Sequence, residues 1–168
     1  EEMRRAGLPV LPPVVPVEHA GALPLSFAQE RLWFIDRLEP GRAIYNVPVA
    51  WRLGGELDRA ALERALGEIV RRHEALRTVF AEVDGSPVQV IAPFGGFALP
   101  VEDLSGLGEA DREAAVGSRV GEEAARPFDL AAGPLFRAAL LRLGKEDHVL
   151  LLSMHHIVSD GWSMGVLF

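Results

Sequence analysis

One continuous apolar run, close to the end of the chain, limits the possible fold more than any other stretch. The run, VLLL at residues 149–152, follows a charged turn, GKED at residues 144–147. An apolar run of this length with such a boundary predicts a buried strand rather than a helix. Ser159 and Asp160, both good N-cap residues, come after the strand, so we expect a helix to begin at about Gly161.

Two adjacent histidines, His155 and His156, lie where this strand ends and the helix begins. Side chains alternate between the two faces of a strand, so we expect one histidine to face an open channel and the other to pack inward. The spacing alone does not tell which one does which. A neutral imidazole can accept a proton near pH 7, which makes the exposed histidine a candidate general base or hydrogen-bond partner.

Asp160 and Gly161 belong to the same junction. Asp160 could orient a histidine, pair with a distant cation or cap the helix, and Gly161 would let a backbone or a slim ligand approach closely. Two histidines and an aspartate also suggest a metal site. The two histidines point in opposite directions, however, and the neighbourhood offers no convincing third ligand. We therefore predict no metal and no directly bound cofactor.

The composition excludes several function classes. The 168 residues carry a net charge of −7, with 17 Lys and Arg against 24 Asp and Glu, which argues against a nucleic-acid-binding surface. The sequence has no cysteine, which excludes disulfides, thiolate catalysis and thiolate metal sites. It has neither an apolar run long enough to span a membrane nor a signal-peptide pattern. These features predict a soluble, cytoplasmic protein with no membrane partner.

The N-terminal stretch differs in character from the rest of the chain. Residues 9–16 contain four prolines, a spacing that favours an extended, polyproline-like conformation. We therefore predict that residues 1–22 are an interdomain linker that follows another domain, and that residues 23–168 form the folded domain.

Local signals within residues 23–168 predict an α+β sandwich. Ser26 and Gln29 form an S-x-x-Q capping box, Asp58 caps the clearest helix, and DG at residues 84–85 is a strong hairpin signal. The predicted helices are residues 26–38, 58–73 and 109–126, and the predicted strands are residues 45–53, 78–83, 88–91, 97–101, 135–143 and 148–154. Together they give a mixed, mostly antiparallel sheet with three or four covering helices.

Three separate stretches together resemble one family, the condensation domains of nonribosomal peptide synthetases. They are SFAQERLW at residues 26–33, RHEALRTVF at residues 72–80 and MHHIVSDGWS at residues 154–163. The third stretch contains the HHxxxDG signature of that family. Because the three occur in the family's order and at suitable distances, the resemblance extends over residues 23–168.

The resemblance implies a chloramphenicol-acetyltransferase-like fold with two lobes in a V and a tunnel between them. Donor and acceptor peptidyl carrier domains bring their substrates on 4′-phosphopantetheine arms to opposite mouths of the tunnel. The acceptor amine then attacks the donor thioester and forms a peptide bond. In that family the second histidine of the signature, here His156, faces the tunnel. Its role in that family is either to remove a proton, or to position the amine or stabilise the tetrahedral intermediate.

The same resemblance implies roles for the residues around His156. His155 would be structural, and Asp160, followed by Gly161, would form a buried ion pair with Arg77 of the second stretch. On this interpretation, replacing Arg77 with alanine would leave one buried charge unpaired and destabilise the protein.

The resemblance also predicts a subtype and an organisation. DGWS at residues 160–163 and the first stretch resemble condensation domains that join two L-residues, within a module that also has an adenylation domain. A whole condensation domain needs a C-terminal lobe, which this chain lacks after Phe168, so we expect an N-terminal lobe that is inactive alone. Two alternatives stay open: an acyltransferase of the same fold that uses coenzyme A or an alcohol, and a non-catalytic carrier-docking module.

Overall fold

The computed structural model of the chain describes residues 13, 15 and 21–167. Within these residues the strands are β1 (Leu23–Pro24), β2 (Asn46–Gly54), β3 (Thr78–Val83), β4 (Ser86–Ile91), β5 (Val101–Asp103), β6 (Phe136–Arg142) and β7 (Asp147–His155). The helices are α1 (Phe27–Leu38), α2 (Arg59–Arg72), α3 (Glu109–Ala125) and α4 (Gly161–Leu167), with a 3₁₀ helix at Glu74–Arg77.

The strands divide between two sheets rather than forming the one mixed sheet that the sequence suggested. A three-stranded sheet has the order β1-β4-β3, and a four-stranded sheet has the order β2-β7-β6-β5. All neighbours are antiparallel except β5 and β6. The α+β class and the mostly antiparallel pairing are confirmed. Division into two sheets depends on long-range pairing, which local sequence patterns do not encode.

The predicted buried strand is β7, and it lies inside the larger sheet between β2 and β6. On one face, Leu150, Leu152 and Met154 pack in a cluster that includes α2 residues. On the other face, Val149 and Leu151 pack in a cluster that is bordered by α3. Burial on both faces explains why the run is continuously apolar instead of alternating.

A third apolar cluster joins the smaller sheet to the C-terminal end of β7. It contains Phe80 of β3 and Ile157, which lies just after His155, and Trp33 of α1 packs against it. The remaining buried members of the cluster are Leu25, Phe128, Leu130 and Leu135. The turn after β7 is therefore held in the core on its inner side.

The local signals of the sequence are confirmed. The Ser26 side chain accepts a hydrogen bond from the Gln29 backbone N–H while the Gln29 side chain accepts one from the Ser26 N–H, which completes the capping box. Asp58 caps α2 through the Ala61 N–H. Asp84 and Gly85 have φ angles of 50° and 77°, as the tight hairpin between β3 and β4 requires.

One predicted strand is displaced. The strand expected at residues 97–101 is instead the short β5 at Val101–Asp103. Phe97 and Leu99 pack in the cluster beneath α2, and the Leu99 N–H donates to Glu63 of α2 rather than to a neighbouring strand. The linker predicted at residues 1–22 lies outside the described residues, apart from residues 13, 15, 21 and 22. No helix in the described ranges is long and apolar enough to cross a membrane.

The packing of the larger sheet gives a test of stability. Leu140 of β6 is 1 % exposed, and it lies opposite Val101 of β5, which is 38 % exposed. We expect Leu140→Ala to lower the free energy of unfolding by about 2–5 kcal/mol, because it removes buried methyl groups and leaves a cavity. Val101→Ala, its matched control, should cost less than about 1 kcal/mol. Urea denaturation of the two variants checks this, and equal losses would contradict the assigned packing.

Candidate active site

The site is built where β7 leaves the core. Backbone hydrogen bonds fix both histidines: the His155 N–H donates to Leu135 (3.1 Å) and the His156 N–H donates to Tyr45 (2.8 Å). The chain then turns, with the Val158 N–H donating back to the His155 carbonyl at 3.1 Å. The two imidazoles are thus held at a rigid strand end rather than on a free loop.

His155 is an inward-facing, structural histidine. Its side chain is buried, with 3 % exposure, and its ring lies 6.2 Å from that of Tyr45 and 6.1 Å from that of Phe128. Its Nδ1 accepts a hydrogen bond from the Ile157 N–H at 3.1 Å. The Arg137 guanidinium covers one face of Phe128 at 3.6 Å from the ring centroid.

Burial controls the charge of His155. Loss of solvation, and secondarily the nearby His156, lower the pKa of His155 from 6.5 to about 4. The imidazole is therefore neutral near pH 7. Because Nδ1 accepts a hydrogen bond, the neutral ring carries its proton on Nε2.

His156 has the opposite environment. Its side chain is exposed, and its Nδ1 lies 2.6 Å from the carbonyl oxygen of Ser159. A carbonyl oxygen can only accept, so Nδ1 carries the proton and donates it to Ser159. In the neutral ring, Nε2 is then left with an unshared electron pair. The expectation that the two histidines face different sides is confirmed, and the exposed one is His156.

The ion pair expected between Asp160 and Arg77 is not formed. The Asp160 carboxylate accepts hydrogen bonds from the backbone N–H (2.8 Å) and hydroxyl (2.6 Å) of Ser163, which caps α4. These bonds hold the pKa of Asp160 below its ordinary value. Arg77 donates instead to the Ala92 carbonyl at 2.5 Å and to Glu74 at 3.3 Å. The expectation was therefore wrong.

The physical reason is that both groups find partners close in sequence. Ser163 is three residues from Asp160, and Glu74 is three residues from Arg77, so each contact orders little additional chain. Of the three roles that the sequence left open for Asp160, the structure shows the helix cap. Gly161 begins α4, and a Cβ added there would meet no heavy atom within 4 Å. No backbone of the described residues approaches Gly161 closely, and the space beside it is open.

A cavity of about 240 Å³ lies beside the turn. Met154, Val158 and Ser159 line it from the turn side, and His73 lines it from the end of α2. The other lining residues are Ile69, Ala75, Leu76, Trp162 and Ser163. Neither His73 nor Trp162 was predicted from the sequence to line the site. The helical spacing of Ile69 and His73 was the available signal, since residues four apart lie on one face of a helix.

The described residues contain no group of three or more His, Cys, Asp or Glu side chains that could hold a metal ion. The exposed His156 offers an Nε2 lone pair to solvent, a geometry that suits proton transfer or hydrogen bonding to an uncharged group.

The family model described as "Condensation domain" matches residues 19–168. The chain belongs to the condensation-domain family. Among curated relatives, it is 52 % identical over 153 residues to one of the linear gramicidin synthase proteins of Brevibacillus parabrevis, a match that covers 91 % of this chain and 2 % of that protein. It is 47 % identical over 167 residues to phosphinothricin tripeptide synthetase PhsC of Streptomyces viridochromogenes, covering 98 % of this chain and 15 % of that protein.

Solved structures of the condensation-domain family share the fold. The first condensation domain of the calcium-dependent antibiotic synthetase, in complex with a substrate analogue, superposes with a TM-score of 0.77 at 31 % identity. That match covers 88 % of this chain and 35 % of the other. The expected chloramphenicol-acetyltransferase-like α+β class is thereby confirmed. The chain spans only a small part of the length of these curated relatives, and about a third of the length of this solved chain.

The depressed pKa of His155 predicts a pH dependence of stability. Between pH 6.5 and about 4 the unfolded chain binds a proton at this histidine and the folded chain does not, so stability falls as the pH falls through that window. We expect a loss of order 2 kcal/mol, after allowing for residual solvent screening. His155→Asn keeps an acceptor for the Ile157 N–H but does not titrate. Urea denaturation at several pH values between 7 and 4 gives the unfolding free energy as a function of pH. This free energy should depend less steeply on pH in the variant than in the wild type, and an equally steep dependence would contradict the assignment.

The partners of Asp160 and Arg77 predict a double-mutant result. Because the two side chains do not contact each other, the losses of unfolding free energy in Asp160→Ala and Arg77→Ala should add in the double variant. The pair Asp160→Ala and Ser163→Ala is the positive control, since those residues share two hydrogen bonds, and its losses should not add. A coupling energy between Asp160 and Arg77 as large as in the control would show that the two side chains interact, and would support the ion pair instead.

Proposed function

We propose that this chain supplies the proton-accepting histidine for peptide-bond formation between two carrier-bound substrates. The observation that carries the proposal is the exposed His156, whose Nδ1 is committed to Ser159 at 2.6 Å, so that Nε2 is free to accept. The reaction is suggested by the chain's membership of the condensation-domain family. The buried His155 is the structural partner that holds the strand end.

The proposed reaction needs one proton acceptor. The acceptor substrate's α-amine attacks the carbonyl carbon of the donor thioester, so that a C–N bond forms and, through a tetrahedral intermediate, the C–S bond breaks. The amine loses one proton and the leaving thiolate gains one. We assign His156 Nε2 to accept the amine's hydrogen bond, take that proton and return it to the sulfur. Both thioesters are carried on 4′-phosphopantetheine arms of carrier domains, and this chain holds no cofactor itself.

We further propose that residues 23–168 are the N-terminal lobe of a two-lobed condensation domain, and that residues 1–22 link it to a preceding carrier domain. The one-third coverage of the solved condensation domain supports this division. In such an arrangement the C-terminal lobe supplies the other tunnel wall, and a neighbouring adenylation domain loads the carriers. DGWS at residues 160–163 supports a domain that joins two L-residues.

Single-turnover condensation tests the proposal. The synthetase module that contains this chain is supplied with aminoacyl-loaded donor and acceptor carriers, and transfer to the dipeptidyl form is followed over time. We expect His156→Ala and His156→Gln to slow transfer by about 100-fold or more, because neither side chain can take the proton. Glutamine can still accept a hydrogen bond, so near-normal transfer in that variant would reduce His156 to a positioning group.

The control is His148→Gln, a histidine at the opposite end of the same strand. Residue 148 is eight residues from His156, or roughly 26 Å along an extended strand, and this variant should retain transfer. Full transfer in His156→Ala would favour a carrier-docking module. Turnover of free acyl-coenzyme A by the wild type, with none from loaded carriers, would favour the other acyltransferase. The 168-residue chain alone should give no transfer.

A further inference from the structure

Ser159 makes two contacts with the histidine pair. Its carbonyl oxygen accepts the proton of His156 Nδ1 at 2.6 Å. Its hydroxyl, on a residue that is only 6 % exposed, donates to the carbonyl of His155 at 3.3 Å. Ser159 thus connects the last residue of β7 to the imidazole of His156, which follows it.

The backbone of the turn alone restrains residue 159 weakly. The Ser159 N–H lies 3.4 Å from the His156 carbonyl, a distance at which a hydrogen bond contributes little. The stronger backbone bond, from the Val158 N–H to His155 at 3.1 Å, ends one residue earlier. The hydroxyl bond, at 3.3 Å, is also long, so the buried hydroxyl is one of two weak restraints that together keep the carbonyl of Ser159 in line with the imidazole.

We propose that the Ser159 hydroxyl is a positioning group that holds His156 in the Nδ1–H tautomer. This inference rests on the proposed function of His156, and Ser159 itself touches no reacting atom. With the hydroxyl removed, residue 159 can rotate its carbonyl away from Nδ1. The ring then adopts the Nε2–H form, which an unrestrained imidazole prefers. That form presents a donor where the incoming amine needs an acceptor.

The matched control lies on the same strand. Ser153 of β7 is fully buried, and its hydroxyl has no hydrogen-bond partner in the described structure. Ser153→Ala removes the same atom as Ser159→Ala, at similar burial, without breaking a bond that the turn uses. Ser159→Thr keeps the hydroxyl and serves as the rescue variant.

The first readout is the tautomer of His156, measured on the ¹⁵N-labelled 168-residue chain by two-bond ¹H–¹⁵N correlation at neutral pH. A His156→Ala spectrum identifies its signals. In the wild type, in Ser153→Ala and in Ser159→Thr, we expect a protonated Nδ1 and an unprotonated Nε2. In Ser159→Ala, with folding confirmed by circular dichroism, the signals should move toward the Nε2–H form. An unchanged Nδ1–H tautomer in folded Ser159→Ala would overturn the inference.

The second readout is single-turnover transfer in the intact module. Ser159→Ala should slow transfer by roughly 10- to 100-fold, because the acceptor is misaligned, while Ser153→Ala and Ser159→Thr stay near wild type. The two measurements distinguish a failure of the role proposed for Ser159 from a failure of the role proposed for His156. A shifted tautomer supports the positioning role of Ser159 whatever the rate, and a shifted tautomer with an unchanged rate would instead refute His156 as proton acceptor.

Discussion

The burial of β7 on both faces is the constraint on which the site depends. With α2 on one side and α3 on the other, every side chain from residue 148 to residue 155 lies in the core. A strand of this kind can present a polar group to solvent only beyond its end, because an unpaired polar group inside would carry a desolvation cost. His155 is the last residue of the strand and is buried, and His156, directly after it, is exposed. The position of the candidate base is therefore set by where the core stops.

The same boundary gives two neighbouring histidines different chemistry. Desolvation keeps His155 uncharged, and its Nδ1 is used to accept the Ile157 N–H. His156 stays in contact with water, and its Nδ1 donates to Ser159. The two rings thus adopt opposite tautomers, although they are adjacent in sequence.

Much of this arrangement was predictable from the sequence because it follows from local rules. The capping box at Ser26, the cap at Asp58 and the hairpin at residues 84–85 need only a few neighbouring residues, and the continuous apolar run needs only its composition. Strand alternation predicted that the histidines would separate. It could not predict which one would be buried, because that depends on Tyr45 and Phe128, which come from distant parts of the chain.

The prediction that failed concerned how the second and third family stretches meet. The family resemblance implied a long-range ion pair, but each of its members bonds elsewhere: Asp160 to Ser163, and Arg77 to Glu74 and to the Ala92 carbonyl. The stretches are in fact close, since Leu76 and Met154 belong to one apolar cluster. A long-range ion pair would have to repay the desolvation of both charges, whereas apolar contact carries no such penalty. In the described structure, packing rather than charge pairing therefore joins the second stretch to the turn that bears His156.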